Sequence, residues 1–301
     1  RHDGIIASVE FSGGSSFGIL AGKVSDLRSV NGVELQPMGV SVNGASESAM
    51  RSVLGAEAKI GLGDTGALSL VYLITSQNTA GDLGAADRME VLGAGLDLNA
   101  IRGIAFNAGY GQTTLKNGGT TIADDDNKAY YLQAGYNQDN WGLTGGYRRV
   151  ESAYSAPGSW QRIGTNWSPT NIEVFFANGH FNFNDALTLK LYGQFGETID
   201  TLGGIPAESE IFSGAAKLEY TFNNFWKGVV GYEDVKVDFS GSATEIRQRW
   251  TSVGFDYMMG KNSNFRLLYQ YGDVENGAAW GAGSAGNYKG SIVTSNLSIK
   301  F

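Results

Sequence analysis

Lys289 to Phe301 reads KGSIVTSNLSIKF and alternates strictly. Ser291, Val293, Ser295, Leu297, Ile299 and Phe301 share one face; Gly290, Ile292, Thr294, Asn296, Ser298 and Lys300 share the other. A period of two marks a β-strand, because successive side chains of an extended chain point to opposite sides. The apolar face leads up to an aromatic residue that ends the sequence. A soluble domain usually ends in a polar, frayed tail. A final strand that runs to the last residue suggests that it closes a sheet, pairing with the first strand near Ile5 to Phe11.

Bulk composition narrows the class. There are 301 residues, with 44 Gly, 4 Pro and no Cys. Glycine is about twice its usual ~7% share, without the three-residue period of collagen. Fifteen Phe, 14 Tyr and 6 Trp argue against disorder. No apolar run is long enough for a transmembrane helix; the longest, Leu68 to Ile74, is strand-sized. Mean hydropathy is slightly negative, which a membrane barrel tolerates because only alternate residues face lipid. The net charge of −8 argues against nucleic-acid binding and points to weak cation preference. The absence of Cys removes thiolate metal sites and Cys nucleophiles and fits an exported protein. The sequence opens on Arg1 without a signal peptide, which fits a processed or trimmed chain.

Alternating segments of about ten residues, the length that spans a bilayer at a tilt, recur from end to end. In Arg51–Leu62, Leu54, Ala56, Ala58, Ile60 and Leu62 oppose Gly55, Glu57 and Lys59. In Ala186–Glu197, Leu187, Leu189, Leu191, Gly193 and Phe195 oppose Thr188, Lys190, Tyr192 and Gln194. Short turns such as Asp139-Asn140, Asn184-Asp185 and Asn223-Asn224 alternate with long loops at 78–87, 114–127, 151–170, 198–209 and 273–288. Tyr136, Trp141, Phe181, Phe183, Tyr220, Phe222, Phe225, Trp226, Tyr257 and Phe265 sit beside the short turns, as an interfacial aromatic girdle would. A soluble β-sandwich would alternate too, but it rarely runs as one continuous meander with long loops on one side.

The expected fold is therefore all-β: a single transmembrane antiparallel up-and-down β-barrel over 1–301, with short periplasmic turns and long extracellular loops. About fifteen segments are plain, and closed bacterial barrels have even counts. An additional strand in Gly32–Val42 (GVELQPMGVSV) gives about sixteen, although Pro37 removes a ladder donor there. About fourteen strands, or a leading strand missing from this sequence, are the alternatives. A barrel of this size leaves an aqueous lumen.

The whole-chain meander and terminal Phe301 resemble Gram-negative outer-membrane porins, in which the terminal aromatic belongs to the assembly signal. Tyr154 to Phe175, YSAPGSWQRIGTNWSPTNIEVF, looks like a segment of the OmpM-type porins of diderm Firmicutes, tethered to the cell wall by an S-layer-homology domain. The resemblance implies a homotrimer and a cell-wall tether upstream of Arg1 that is absent from this sequence. With the resemblance, the expectation is a non-enzymatic outer-membrane channel for small hydrophilic solutes and ions, its partners being membrane lipid and those solutes. The alternative is a barrel that anchors the membrane to the cell wall or adheres to surfaces.

A pore needs lumen charge and a constriction rather than catalytic residues. Parity places Glu57, Lys59, Arg148, Lys190, Lys217, Glu219, Glu233 and Arg266 inward; singly each reads first as a solvated residue balanced by neighbours, and collectively they would set ion preference. The 151–170 loop, with Trp160, Trp167 and Arg162, is the constriction candidate; Arg148 and Arg149 stand at its entry. It folds inward or packs outside on itself or a neighbouring subunit. Asp124-Asp125-Asp126 offers carboxylates to a divalent cation, but a run of like charges is more often a solvated loop, so no metal or cofactor is expected. His180 has no identifiable Ser partner for lipid hydrolysis, and no P-loop, G-x-S-x-G or HExxH motif is present.

Overall fold

The computed structural model describes residues 2–24, 50–77, 86–101, 103–123, 125–156, 162–164, 166–167, 169–260, 262–276 and 287–299. β1 (His2–Phe11) turns through Gly13 and Gly14, both at positive φ, into β2 (Ser15–Val24). β3 (Met50–Gly61), β4 (Gly66–Gln77), β5 (Arg88–Ile101), β6 (Ile104–Asn117) and the short β7 (Thr120–Ala123) follow. β8 (Lys128–Asn137) and β9 (Trp141–Val150) precede the long loop, which carries a miniature hairpin of β10 (Arg162–Ile163) and β11 (Asn166–Trp167). Then come β12 (Ile172–Asn182), β13 (Leu187–Thr198), β14 (Glu210–Thr221), β15 (Trp226–Asp238), β16 (Glu245–Gly260), β17 (Ser263–Glu275) and β18 (Tyr288–Ile299).

All except β10 and β11 belong to one 16-stranded antiparallel sheet that runs in chain order. Turn chemistry enforces the hairpins. Asn184 Oδ1 accepts hydrogen bonds from the Ala186 and Leu187 amides, both at 2.9 Å, and Asn223 Oδ1 from those of Phe225 and Trp226 at 2.8 and 3.1 Å. A one-residue register slip would turn every apolar side chain inward, so the alternation fixes the pairing.

The two faces differ as lipid and lumen require. On β13, Phe195 is 64% exposed while its neighbour Gln194 is 2% exposed. The same outward face carries Leu132, Leu143, Phe175, Leu191, Phe212, Leu218, Val230 and Val253, all exposed. A continuous exposed apolar band of this extent is a membrane surface rather than a water surface. Beside the short turns, Tyr136 meets Trp141 at 5.5 Å between ring centroids, and Trp226 meets Tyr257 at 4.4 Å. A second aromatic row stands toward the long loops: Tyr130–Tyr147 at 6.2 Å, Tyr147–Phe175 at 5.1 Å and Phe175–Phe195 at 5.7 Å. Beyond it the outer face becomes charged, with Arg149–Glu173 at 2.6 Å, Arg247–Asp234 at 2.9 Å and Arg249–Asp273 at 3.0 Å. Two girdles with an apolar band between them define a transmembrane wall.

Sixteen strands, the expected number, make up the sheet. The sixteenth strand of the sheet is β7, which pairs only with β6 and forms a hairpin within the expected 114–127 loop. Gly32–Val42 lies outside the described residues, and β2 pairs directly with β3 from Ser16↔Lys59 to Lys23↔Ser52. The expected pairing of β18 with β1 is not among the pairs of the described residues; each has one hydrogen-bonded neighbour, β17 and β2.

Candidate functional site

The inner face is built by register. Across β12, β13 and β14, His180 stands opposite Lys190 and Lys190 opposite Lys217. One rung nearer the short turns, Thr188 faces Glu219. Lys190 and Lys217 both pair with Glu219 Oε1, at 3.1 and 2.6 Å, and Lys227 of β15 pairs with Oε2. Three ammonium groups thus share one nearly buried carboxylate. Lys227 was not among the expected lumen residues, although it shares the parity of the inward Glu233 on the same strand. Arg266 binds Asp256 through two hydrogen bonds of 2.5 and 2.9 Å. Glu57 and Lys59 lie on the same face of β3, opposite Val71 and Ser69.

Arg148 and Arg149 separate. Arg148 points into the lumen, donates to Gln194 Oε1 at 3.2 Å and lies over the Phe176 ring at 5.2 Å from its centroid. Tyr192 donates its hydroxyl to the same Gln194 oxygen at 2.6 Å. Arg149 stands on the outer face, held by Glu173. Its expected place on the pore wall is therefore wrong, because adjacent residues of one strand face opposite ways. Arg162 sits in β10, where its backbone pairs with Trp167.

The described segments 151–156 and 162–164 of the long loop turn inward. The Ser155 amide donates to Thr113 Oγ1 of β6 at 3.1 Å, and the Ala153 amide to the Asp126 carbonyl at 2.7 Å. Tyr154 lies against Gly111 of β6, where a Cβ would stand 2.6 Å from its hydroxyl. Burial there pushes the Tyr154 phenol above its ordinary range. On the other side of the lumen, Ile163 is fully buried among the inward-facing Val174, Ile211, Val235, Val237 and Ile246. Gly164 follows at positive φ, its α-carbon against Gln248 and Val235. The described parts of one loop therefore touch both β6 and β15–β16. Ile205, from the 199–209 loop, joins the same apolar cluster.

A cavity of about 1320 Å³ opens beside this loop. Its lining includes Arg148, Lys190, Lys217, Tyr131, Gln133 and Tyr192, but no Asp or Glu among the described residues. Glycine makes it roomy. At Gly146 a Cβ would stand 2.7 Å from the Phe176 ring, so glycine lets this ring lie close against the wall. The remaining candidates do not assemble. Asp125 and Asp126 are exposed, Asp124 lies outside the described residues, and no three metal-ligating side chains converge among those described. His180 is half-buried beside Gly142, and among the described residues no Ser, Asp or Glu side chain bonds it.

A membrane-spanning antiparallel wall around a polar lumen, with short turns on one side and long loops on the other, defines an outer-membrane β-barrel located in the cell outer membrane. A solved structure shares this fold. OccAB4 of Acinetobacter baumannii is similar at a TM-score of 0.51 and 12% identity, over 99% of this chain and 86% of that one. An anion-selective porin from Comamonas acidovorans aligns at 0.48 and 13% identity over 99% of both chains. Wzi, a carbohydrate-binding barrel of Escherichia coli, aligns at 0.48 and 10% identity over 100% of this chain and 78% of that one. No protein-family model matches the sequence. No curated protein matches it either.

Proposed function

We propose that this barrel is a porin: a water-filled, non-enzymatic channel for passive diffusion of small hydrophilic solutes and ions across the outer membrane. The observation that carries the reading is the 151–170 loop, which touches β6 through Tyr154 and Ser155 and the β15–β16 wall through Ile163 and Gly164. Loop segments docked on two walls of a polar lumen narrow the passage, as size selection requires. We extend the proposal to one barrel domain over 1–301 and, on the sequence resemblance alone, to a homotrimer. The purified protein in a planar bilayer is expected to give discrete conductance steps. A folded protein that leaves the bilayer silent would sink the reading, and a deletion strain with normal permeability but a detached envelope would favour the anchoring alternative.

A further inference from the structure

We infer that the lumen holds an anion-preferring site, in which Arg148, Lys190 and Lys217 collect small solutes bearing a carboxylate or phosphate. This deepens the channel reading and rests on it. The first ground is the lining of the cavity, which includes three cations and no Asp or Glu among the described residues, since Glu219, the partner of Lys190 and Lys217, lies outside it. The second is Arg148 itself. Its partners, Gln194 and Phe176, are neutral, and among the described residues no Asp or Glu pairs with it. A half-buried guanidinium without a counter-charge has lost much of its hydration and gains most from an arriving anion. Its planar fork matches a carboxylate or phosphate in bidentate geometry.

The third ground is the arithmetic of the lysine cluster. Three lysines share the single charge of Glu219, leaving two positive charges in excess. The carboxylate side chain is 8% exposed, whereas those of Lys190 and Lys217 are 50% and 30% exposed. The cluster therefore presents cations to the lumen and hides its anion. The other inward carboxylates lie outside the cavity lining: Glu10 and Glu57 on β1 and β3, Asp97 on β5, Glu233 on β15, and Asp256, which Arg266 neutralises. The overall charge of −8 sets the far field, but the groups at the passage set the preference.

The test is reversal potential across a bilayer in a potassium chloride gradient, followed by titration of the current with inorganic phosphate and with succinate. The wild-type channel is expected to reverse toward the chloride potential and to be blocked by at least one of the two oxyanions; which one blocks identifies the solute class. Arg148→Gln combined with Lys190→Gln is expected to weaken that block roughly tenfold or more, whereas Arg149→Gln, on the outer face, leaves it unchanged. Heat-modifiable mobility on gels reports whether each variant is folded. Cation preference, no preference, block by neither oxyanion, or an unchanged block in the folded double variant overturns the site while leaving the channel standing. A silent bilayer instead removes the channel reading and this inference with it.

Discussion

Arg148 and Arg149 are neighbours in the chain and occupy opposite sides of the barrel wall. Arg148 reaches Gln194 in the lumen at 3.2 Å, and Arg149 reaches Glu173 on the outside at 2.6 Å. One peptide bond separates a group in the passage from a group at the outer rim. The period of a strand thus decides which charge acts on solute and which on the membrane boundary.

The Arg149–Glu173 pair sits above the outer aromatic row and is about one-third exposed on each side chain. Screening keeps such a pair weak. Arg149→Gln is expected to change the urea stability of the folded barrel by less than about 1 kcal/mol. A larger loss would mean that the pair ties the rim together.

Glu219 gathers three lysines, so its neutralisation leaves unbalanced cations side by side. Glu219→Gln is expected to cost about 1–3 kcal/mol, less than a fully buried pair because the lysines are partly solvated. Urea titration in detergent measures the loss. Anion preference in the bilayer should rise at the same time, and a stabilised variant would contradict the shared-carboxylate account.

Ile163 is the latch of the described inward-turned loop segment, with no exposed surface in a cluster of inward-facing aliphatic residues. Ile163→Ala is expected to weaken docking of the loop by about 2–4 kcal/mol. The barrel itself should keep its thermal stability. Single-channel conductance should increase and fluctuate as the loop leaves the passage; an unchanged conductance would show that the loop does not limit flow.

Leu191 lies on the outer face between the two aromatic rows. Leu191→Arg places a charge in hydrocarbon and is expected to cost about 2–4 kcal/mol if it lies near the membrane midplane. Folding into lipid vesicles measures it. The same substitution at Tyr192, on the lumen face, should cost far less.

The lipid face was legible because period-two alternation is local: Val293, Leu297 and Ile299 declare their side without reference to any other strand. The girdle beside the short turns was legible because Tyr136 and Trp141 are close in sequence. The upper row was not, since Tyr147, Phe175 and Phe195 meet only after β9, β12 and β13 are brought into register. Ile163 escaped for the same reason. An isolated Ile in a polar loop gives no sign of burial until the opposite wall is placed against it. Proximity to the loop points to Arg149 as a pore residue, whereas strand parity turns it outward, and the same parity puts Lys227 on the face of Glu233.

The absence of cysteine from the sequence permits the most direct test of a conducting lumen bounded by β9. Arg148→Cys and Arg149→Cys channels would each be exposed to a negatively charged, membrane-impermeant thiol reagent while current is recorded. The account predicts a stepwise fall in conductance for the Cys at 148 and no change for the Cys at 149. An equal response at both positions, or none at 148 in a folded channel, would contradict it.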